Sequence, residues 1–326
     1  MSESSKFNPT PEQQKIIDNE GNTLIHSVIS QDDPTKDDNF RLNLVKLLVK
    51  NGHDVTVIDN LIKGKKENLS QVIEKIKFLN LDIRDYQELR KNLKNIDGVF
   101  HQAALTIVQD SFERPEEYHE VNVLGTENIF KLANENNFKV VYASSSSVYG
   151  HKKNMPIKED AKREPINPYG QTKLDDEYLF EKYSKDGTKI IGLRYFNIFG
   201  KGQTLEYAGV ITKFLDRISQ KKPPIIFGDG TQIRDFIFVG DIVKANLLAM
   251  ESQVSSSLVN VGTGNAVTVL ELANMMLKIS GLNVEPFFDK PLEGDIEKSQ
   301  ADITLAKKIL NWEPRKKLSD WLEEVL

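Results

Sequence analysis

Tyr169 and Lys173 stand four residues apart, a spacing that puts both on one face of a helix. An ammonium beside a phenol favours the phenolate, the form that takes a proton from a substrate hydroxyl. Pro168 marks a helix start just before them, and the helix dipole there pushes the same way. The pattern alone discriminates little, because Tyr149/Lys153 and Tyr178/Lys182 repeat it. Lys153 falls in the polar stretch HKKN, and Tyr178 is about half a turn out of phase with Tyr169 at ~100° per residue. Only Tyr169 follows a serine-bearing strand end, Ser144–Ser147. Hydroxyls at the end of a buried strand need partners, so this run reads equally as a polar turn or as a substrate-hydroxyl site opposite a general base. Asp59 closes VTVID, where a carboxylate can accept both ribose hydroxyls or cap a helix, and Asp82 near the end of FLNLDI is similar. Arg234 and Asp235 follow GDGTQI; an arginine there is either a solvated charge or a ligand for a pyrophosphate. The five histidines show no metal-ligand spacing, and His101 reads as a packing residue.

The elements around these residues alternate. LNLVKLLVKNG (42–52) has helical spacing and stops at Gly52. DVTVIDN (54–60), KIKFLNLDI (75–83), DGVFHQAAL (97–105) and NFKVVYASSSS (137–147) read as strands, and TKIIGLRYFNIFG (188–200) as a strand followed by a glycine-bearing turn. Residues 115–137 and 167–187 read as helices between them. Such alternation predicts a parallel sheet covered on both faces, with ligands at the carboxyl ends of its strands. After residue 200 glycines and prolines rise and strands shorten, which predicts a smaller α/β lobe, with a strand and helix near 235–262 returning to the main sheet. Residues 1–40 differ: Thr10, Pro11 and Gln13 can open a helix that Gly21 ends, and NTLIHSVIS (22–30) reads as a strand.

Composition bounds the function. Among 326 residues, 39% are apolar, enough for a sizeable core. There is no cysteine, so thiol nucleophiles, disulfides and thiolate metal sites are excluded. No apolar run approaches the ~18 residues of a membrane span, and no basic-then-apolar leader opens the sequence. A cytoplasmic enzyme is the expectation. The net charge of −5 lies wholly in residues 1–40, with eight acids against three lysines, so the remainder is neutral and gives no case for nucleic acid or membrane partners.

From about residue 42 onward the chain resembles the extended short-chain dehydrogenase/reductases, and among them the NAD-dependent UDP-sugar 4-epimerases. The segments that carry this are VTVIDNLIKGKKENL, LDIRD, FHQAA, YHEVNVLGTENIF, YASSSSVYG, NPYGQTK, LRYFNIFG, FGDGTQIRDFIFVGDIV, VNVGTGNAVTVLELA and EGDIEKSQADITLAKKILNWEP, in order over some 280 residues. The resemblance implies a Rossmann-like doubly wound α/β fold: residues 41–196 plus about 235–262 for NAD, and 197–234 with 263–326 as a substrate lobe. It implies that Ser145 and Tyr169 meet the sugar 4-hydroxyl with Tyr169 as base, and that Lys173 holds the nicotinamide ribose. Asp59, Asn60, Asp82 and Ile83 would face the adenosine half of NAD, and Ala103, Ala104 and Asn122 would line the cofactor cleft. Asn197 and Arg234 would hold the UDP-sugar, Arg234 at the pyrophosphate. No metal is implied, and a homodimer is expected. Related 4,6-dehydratases need an acid just after the catalytic Ser/Thr, and related decarboxylases a comparable glutamate; here Ser146 and Ser147 stand there, which favours epimerisation.

Two segments depart from the family. Its G-x-x-G-x-x-G phosphate turn would fall near Thr35, Asp38 and Arg41, yet residues 31–40 hold four aspartates and no glycine. Carboxylates there would repel a pyrophosphate. The first strand and turn are therefore replaced, and the alternative to an epimerase is a catalytically silent homologue that binds a sugar nucleotide or a partner. The opening NPTPEQQKIIDNEGNTLI weakly resembles a superfamily I helicase start, with Gln13 at the adenine-reading position, but no G-K-[ST] loop follows. Leu292, in PLEGD, replaces an arginine that often touches UDP in the family.

Overall fold

Neighbouring residues along the strands bury against opposite layers. Val140 and Tyr142 join one core cluster and Val141 the other; Ile190 joins the first, Ile191 and Leu193 the second. This two-residue period with both faces apolar is what a strand buried between two helical layers requires. The computed structural model describes residues 22–26, 40–62, 64–200 and 209–326. The helix expected after Thr10 and the aspartate-rich segment 31–39 lie outside them.

In chain order the first half comprises β1 (Asn22–His26), α1 (Phe40–Lys50), β2 (Asp54–Asp59), β3 (Ile76–Asn80), α2 (Tyr86–Asn92), β4 (Gly98–His101), α3 (Val108–Glu113), α4 (Pro115–Tyr118), α5 (Gly125–Asn136), β5 (Lys139–Ser145), α6 (Pro168–Lys185) and β6 (Ile190–Tyr195). The second comprises β7 (Asn197–Phe199), α7 (Val210–Ser219), β8 (Ile225–Phe227), β9 (Ile233–Phe238), α8 (Val239–Glu251), β10 (Ser256–Val261), β11 (Ala266–Thr268), α9 (Val269–Ser280), β12 (Phe287–Asp289), β13 (Lys298–Ser299), α10 (Thr304–Leu310) and α11 (Leu318–Val325). The main sheet runs β10-β6-β5-β4-β1-β2-β3 with every pairing parallel. The order reverses at β1 and β4, and that switch point opens the crevice where ligands of such sheets sit. The segment NTLIH supplies the strand at this point, pairing Thr23 with Val55 on one side and with Gly98 on the other.

Helices cover both faces. Leu42, Val45 and Leu48 of α1 pack with Ile242 and Ala245 of α8 on one side. Ile129 and Phe130 of α5 pack with Phe180 and Tyr183 of α6 on the other. The segment expected as one helix over 115–137 is α4, a π-helical turn over His119–Leu124, and then α5. The segment 188–200, expected as a strand and then a turn, holds two strands: β6 stays in the main sheet, and after Phe196 β7 pairs with β9 in the lobe. Helix α8 and strand β10 return to the main sheet, whereas β9 remains in a smaller sheet with β7, β11 and β13. The lobe has its own core around Phe214, Phe236, Met276 and Trp321.

Candidate active site

A cleft of ≈ 590 Å³ lies along the carboxyl ends of the main strands and under the lobe. Ser145, Tyr169, Lys173, Asn197 and Arg234 line it in the middle and on the lobe side; Asn60, Ala104, Arg41 and Arg84 line it too. The described residues contain no cluster of His, Cys, Asp and Glu suited to a metal ion, and no helix long and apolar enough to cross a membrane.

Helix α6 positions Tyr169 and Lys173. Asn167 caps it, its side-chain oxygen accepting the Gly170 N–H at 2.7 Å, and Pro168 takes the first helical position. The Tyr169 N–H, left over at the helix start, donates to Ser111 Oγ at 3.1 Å. Lys173 donates to Asp176 at 2.9 Å, and both are buried, 3% and 0% exposed. Burial pulls the Lys173 ammonium down, but Asp176 and then Tyr169 outweigh it, so the ammonium stands above its ordinary value. Burial pushes the Asp176 carboxyl up to about 6, against the pull of Lys173 and the Thr126 hydroxyl. The ammonium is thus fixed from behind while the lysine faces the cleft. The two other Tyr/Lys pairs are elsewhere: Tyr149 donates to Asn260 at 2.6 Å inside the core, and Tyr178 is 51% exposed beside Arg163.

The serine run divides its work. Ser144 Oγ donates to Glu177 Oε1 at 2.7 Å. Ser145 accepts the Ser147 N–H at 3.2 Å, which caps the 3₁₀ turn Ser146–Tyr149, and it also lines the cleft. On the lobe side Arg234 donates to Asp295 at 2.6 Å, while Asp235 faces away, holding Thr263, Gly264 and Ala301 through their N–H groups.

Several expected positions lie behind the cleft wall. Asp59 is 2% exposed and accepts the Leu61 N–H at 2.6 Å, because the chain turns back on it with Leu61 at φ 56. Asp82 accepts from Arg84 and from Asn60 at 2.9 Å, so Arg84 and Asn60, not the carboxylate, present to the cleft. Ile83 is buried under Gly125, and Ala103 belongs to the core. Asn122, expected along the cleft, is fully buried: it clamps both backbone groups of Leu105 and donates to Thr172 at 3.0 Å. It therefore shapes the wall without forming it. Asp176, Glu177 and Asp295 are additions; Asp176 at i+3 and Glu177 at i+4 from Lys173 both had a spacing signal, and Asp176 is the one that pairs with the lysine.

The Arg84 bonds hold the Asp82 carboxyl down to about 2. A depressed carboxyl stabilises the fold at neutral pH and loses that contribution as pH falls from the ordinary carboxylate range towards 2. Arg84→Met brings the Asp82 titration back up toward that range, read by NMR of the side-chain carboxyl.

Residues 42–262 match the NAD dependent epimerase/dehydratase family. The chain belongs to that family. A curated family member, the UDP-glucose 4-epimerase of Lactobacillus helveticus, is 34% identical over 292 residues, 83% of this chain and 88% of its own. The UDP-glucose 4-epimerase of Thermotoga maritima, solved with UDP-glucose, is 33% identical with a TM-score of 0.85, covering 93% of this chain and 96% of that one. The UDP-glucuronic acid 4-epimerase of Bacillus cereus, solved with UDP-glucuronic acid and NAD, is 29% identical with a TM-score of 0.82 over 93% and 96%. The family match begins at residue 42, inside α1, and so excludes the aspartate-bearing segment.

Proposed function

We propose that this family member is an NAD-dependent UDP-sugar 4-epimerase, acting in the cytoplasm as a homodimer. The observation that carries the reading is the placement of Ser145, Tyr169 and Lys173 on one cleft with Asn197 and Arg234 across it. NAD fits the sheet side of this cleft. Arg41 lines it from the first turn of α1, a turn without acidic residues, and Asn60 and Arg84 line it beyond β2 and β3. A helix start and arginines suit a diphosphate, and Asn60 suits hydroxyls or a base edge. Bound NAD supplies a hydride acceptor and donor for the sugar C4.

The residues of this chain do the rest. Tyr169 takes the proton of the 4-hydroxyl as C4 is oxidised and returns it on reduction. Ser145 hydrogen-bonds the same oxygen. Lys173, fixed by Asp176, keeps a positive charge beside the phenol. Arg234 binds the diphosphate, and Asn197 helps hold the nucleotide sugar, so that the keto sugar can turn over without leaving. Ser146 and Ser147 offer no acid for water loss or decarboxylation, which supports epimerisation over the family's other reactions.

The rival is a silent homologue, favoured by the four aspartates in 31–40. One experiment separates them: NAD(H) released on denaturing the purified protein, followed by conversion of UDP-glucose to UDP-galactose with NAD added. The expected result is cofactor close to one per chain, or saturable uptake, and interconversion. No cofactor and no uptake would establish the silent reading.

A further inference from the structure

Between β12 and β13, both in the lobe, residues 290–297 form a strap that touches the main domain. Three contacts dock it. Gln109 on α3 donates to the Glu293 carbonyl at 3.1 Å, and Asn167 donates to the Gly294 carbonyl at 3.2 Å. Gly294, at φ 71, lies so close to Phe112 that a Cβ would stand 2.9 Å from its ring. One residue further on, Asp295 accepts from Arg234, and Leu292 and Asp295 line the cleft. Asn167 is 6% exposed and uses both ends of its amide. Its oxygen must accept the Gly170 N–H that opens α6, which leaves its NH₂ for the strap. Aspartate could serve as the cap but has no donor for the Gly294 carbonyl, and serine has one short polar arm where asparagine has two.

We propose that Asn167 is a positioning residue that ties the helix bearing Tyr169 and Lys173 to the strap facing Arg234, and so fixes the spacing between the base and the diphosphate end of the cleft. This rests on the nucleotide-sugar reading above. A UDP-sugar must reach Arg234 and Tyr169 at once, and Arg234 stands on β9 of the lobe whereas Tyr169 stands on helix α6 of the main domain. The latch sits two residues from Tyr169 on one side and one residue from Asp295 on the other. It acts on the lobe side of the cleft, away from Arg41, Asn60 and Arg84, which are assigned to the diphosphate and adenosine of NAD.

The test uses calorimetric titration of the full-length protein with UDP and, separately, with NAD⁺. Asn167→Ser keeps the cap and loses the latch; UDP affinity falls about 3- to 10-fold, the worth of one net hydrogen bond. Asn167→Asp keeps a stronger cap and sets a carboxylate against the Gly294 carbonyl and near Asp295, so the fall is larger. NAD⁺ affinity stays as in the parent while the melting temperature falls by at most a few degrees, a selectivity between the two ligands that a merely structural role would not give. UDP affinity unchanged in both variants, or NAD⁺ affinity falling in parallel, overturns the latch. A parent protein that binds no UDP overturns the nucleotide-sugar reading and the latch with it.

Discussion

Tyr169→Phe leaves a folded protein whose epimerase turnover falls by about 10³-fold or more, in the range that loss of a positioned general base produces. The cleft contains three tyrosines, Tyr118, Tyr169 and Tyr195. Tyr118 donates to the Ile107 carbonyl at 2.7 Å, and Tyr195 is engaged with Gln102 and Asn246. The Tyr169 hydroxyl alone among them makes no hydrogen bond to the described residues, so its removal breaks no internal bond and creates no orphaned group. Binding should persist, since Arg234, Asn197 and Lys173 are untouched and Lys173 is anchored by Asp176. The variant therefore binds UDP and NAD as the parent does and loses only kcat. Lysine substitution is a poorer probe: it would strand Asp176 in the core, and lost stability would be confused with lost chemistry. Steady-state assay beside UDP titration checks the prediction, and turnover within tenfold of the parent would move the base elsewhere in the cleft.

How far the sequence reached depended on whether the deciding interaction was local. The alternating elements were legible because strand and helix periods differ, and NTLIH was legible as a strand although its flanks departed from the family. The Tyr169/Lys173 face followed from helical spacing, and Asp176 could have been added by the same count. Asn122 could not. Its place on the cleft came from the family resemblance alone, and the structure buries it in the π turn over His119–Leu124, bonded to Leu105 and Thr172. Asp59 was read from its strand end as a ribose acceptor or a helix cap, and its carboxylate accepts the Leu61 N–H where the chain turns back. Strand β7 was hidden because NIFG reads as the turn that ends the segment, and only its pairing with β9 shows it. Glu177 and Arg194 meet across a helix and a strand, a contact no periodicity encodes.

That contact carries the second large effect, on stability. Arg194 of β6 is 2% exposed and grips both oxygens of Glu177 on α6 at 2.7 Å each. It also donates to the Tyr149 hydroxyl and the Glu159 carbonyl. Burial opposes its charge, and the Glu177 bonds outweigh that, holding the guanidinium above its ordinary range. Glu177 has further donors in Ser144 and in Arg163, which is 22% exposed and reaches water. The two partners are therefore not equivalent. Glu177→Leu leaves Arg194 charged and unpaired in the core and costs about 3–5 kcal/mol. Arg194→Met leaves Glu177 with Ser144 and Arg163 and costs less, about 2–3 kcal/mol. At ~2–4 °C per kcal/mol the glutamate variant melts roughly 6–20 °C below the parent. The double variant should lose less than the sum of the two, because no charge is then stranded beside Tyr149. Thermal melts of the three proteins decide it. If the arginine variant proved the less stable single, or the losses simply added, the pair would be contributing packing alone, and the attachment of the Tyr169 helix to the serine strand would have to come from the apolar contacts of Phe180 and Tyr183.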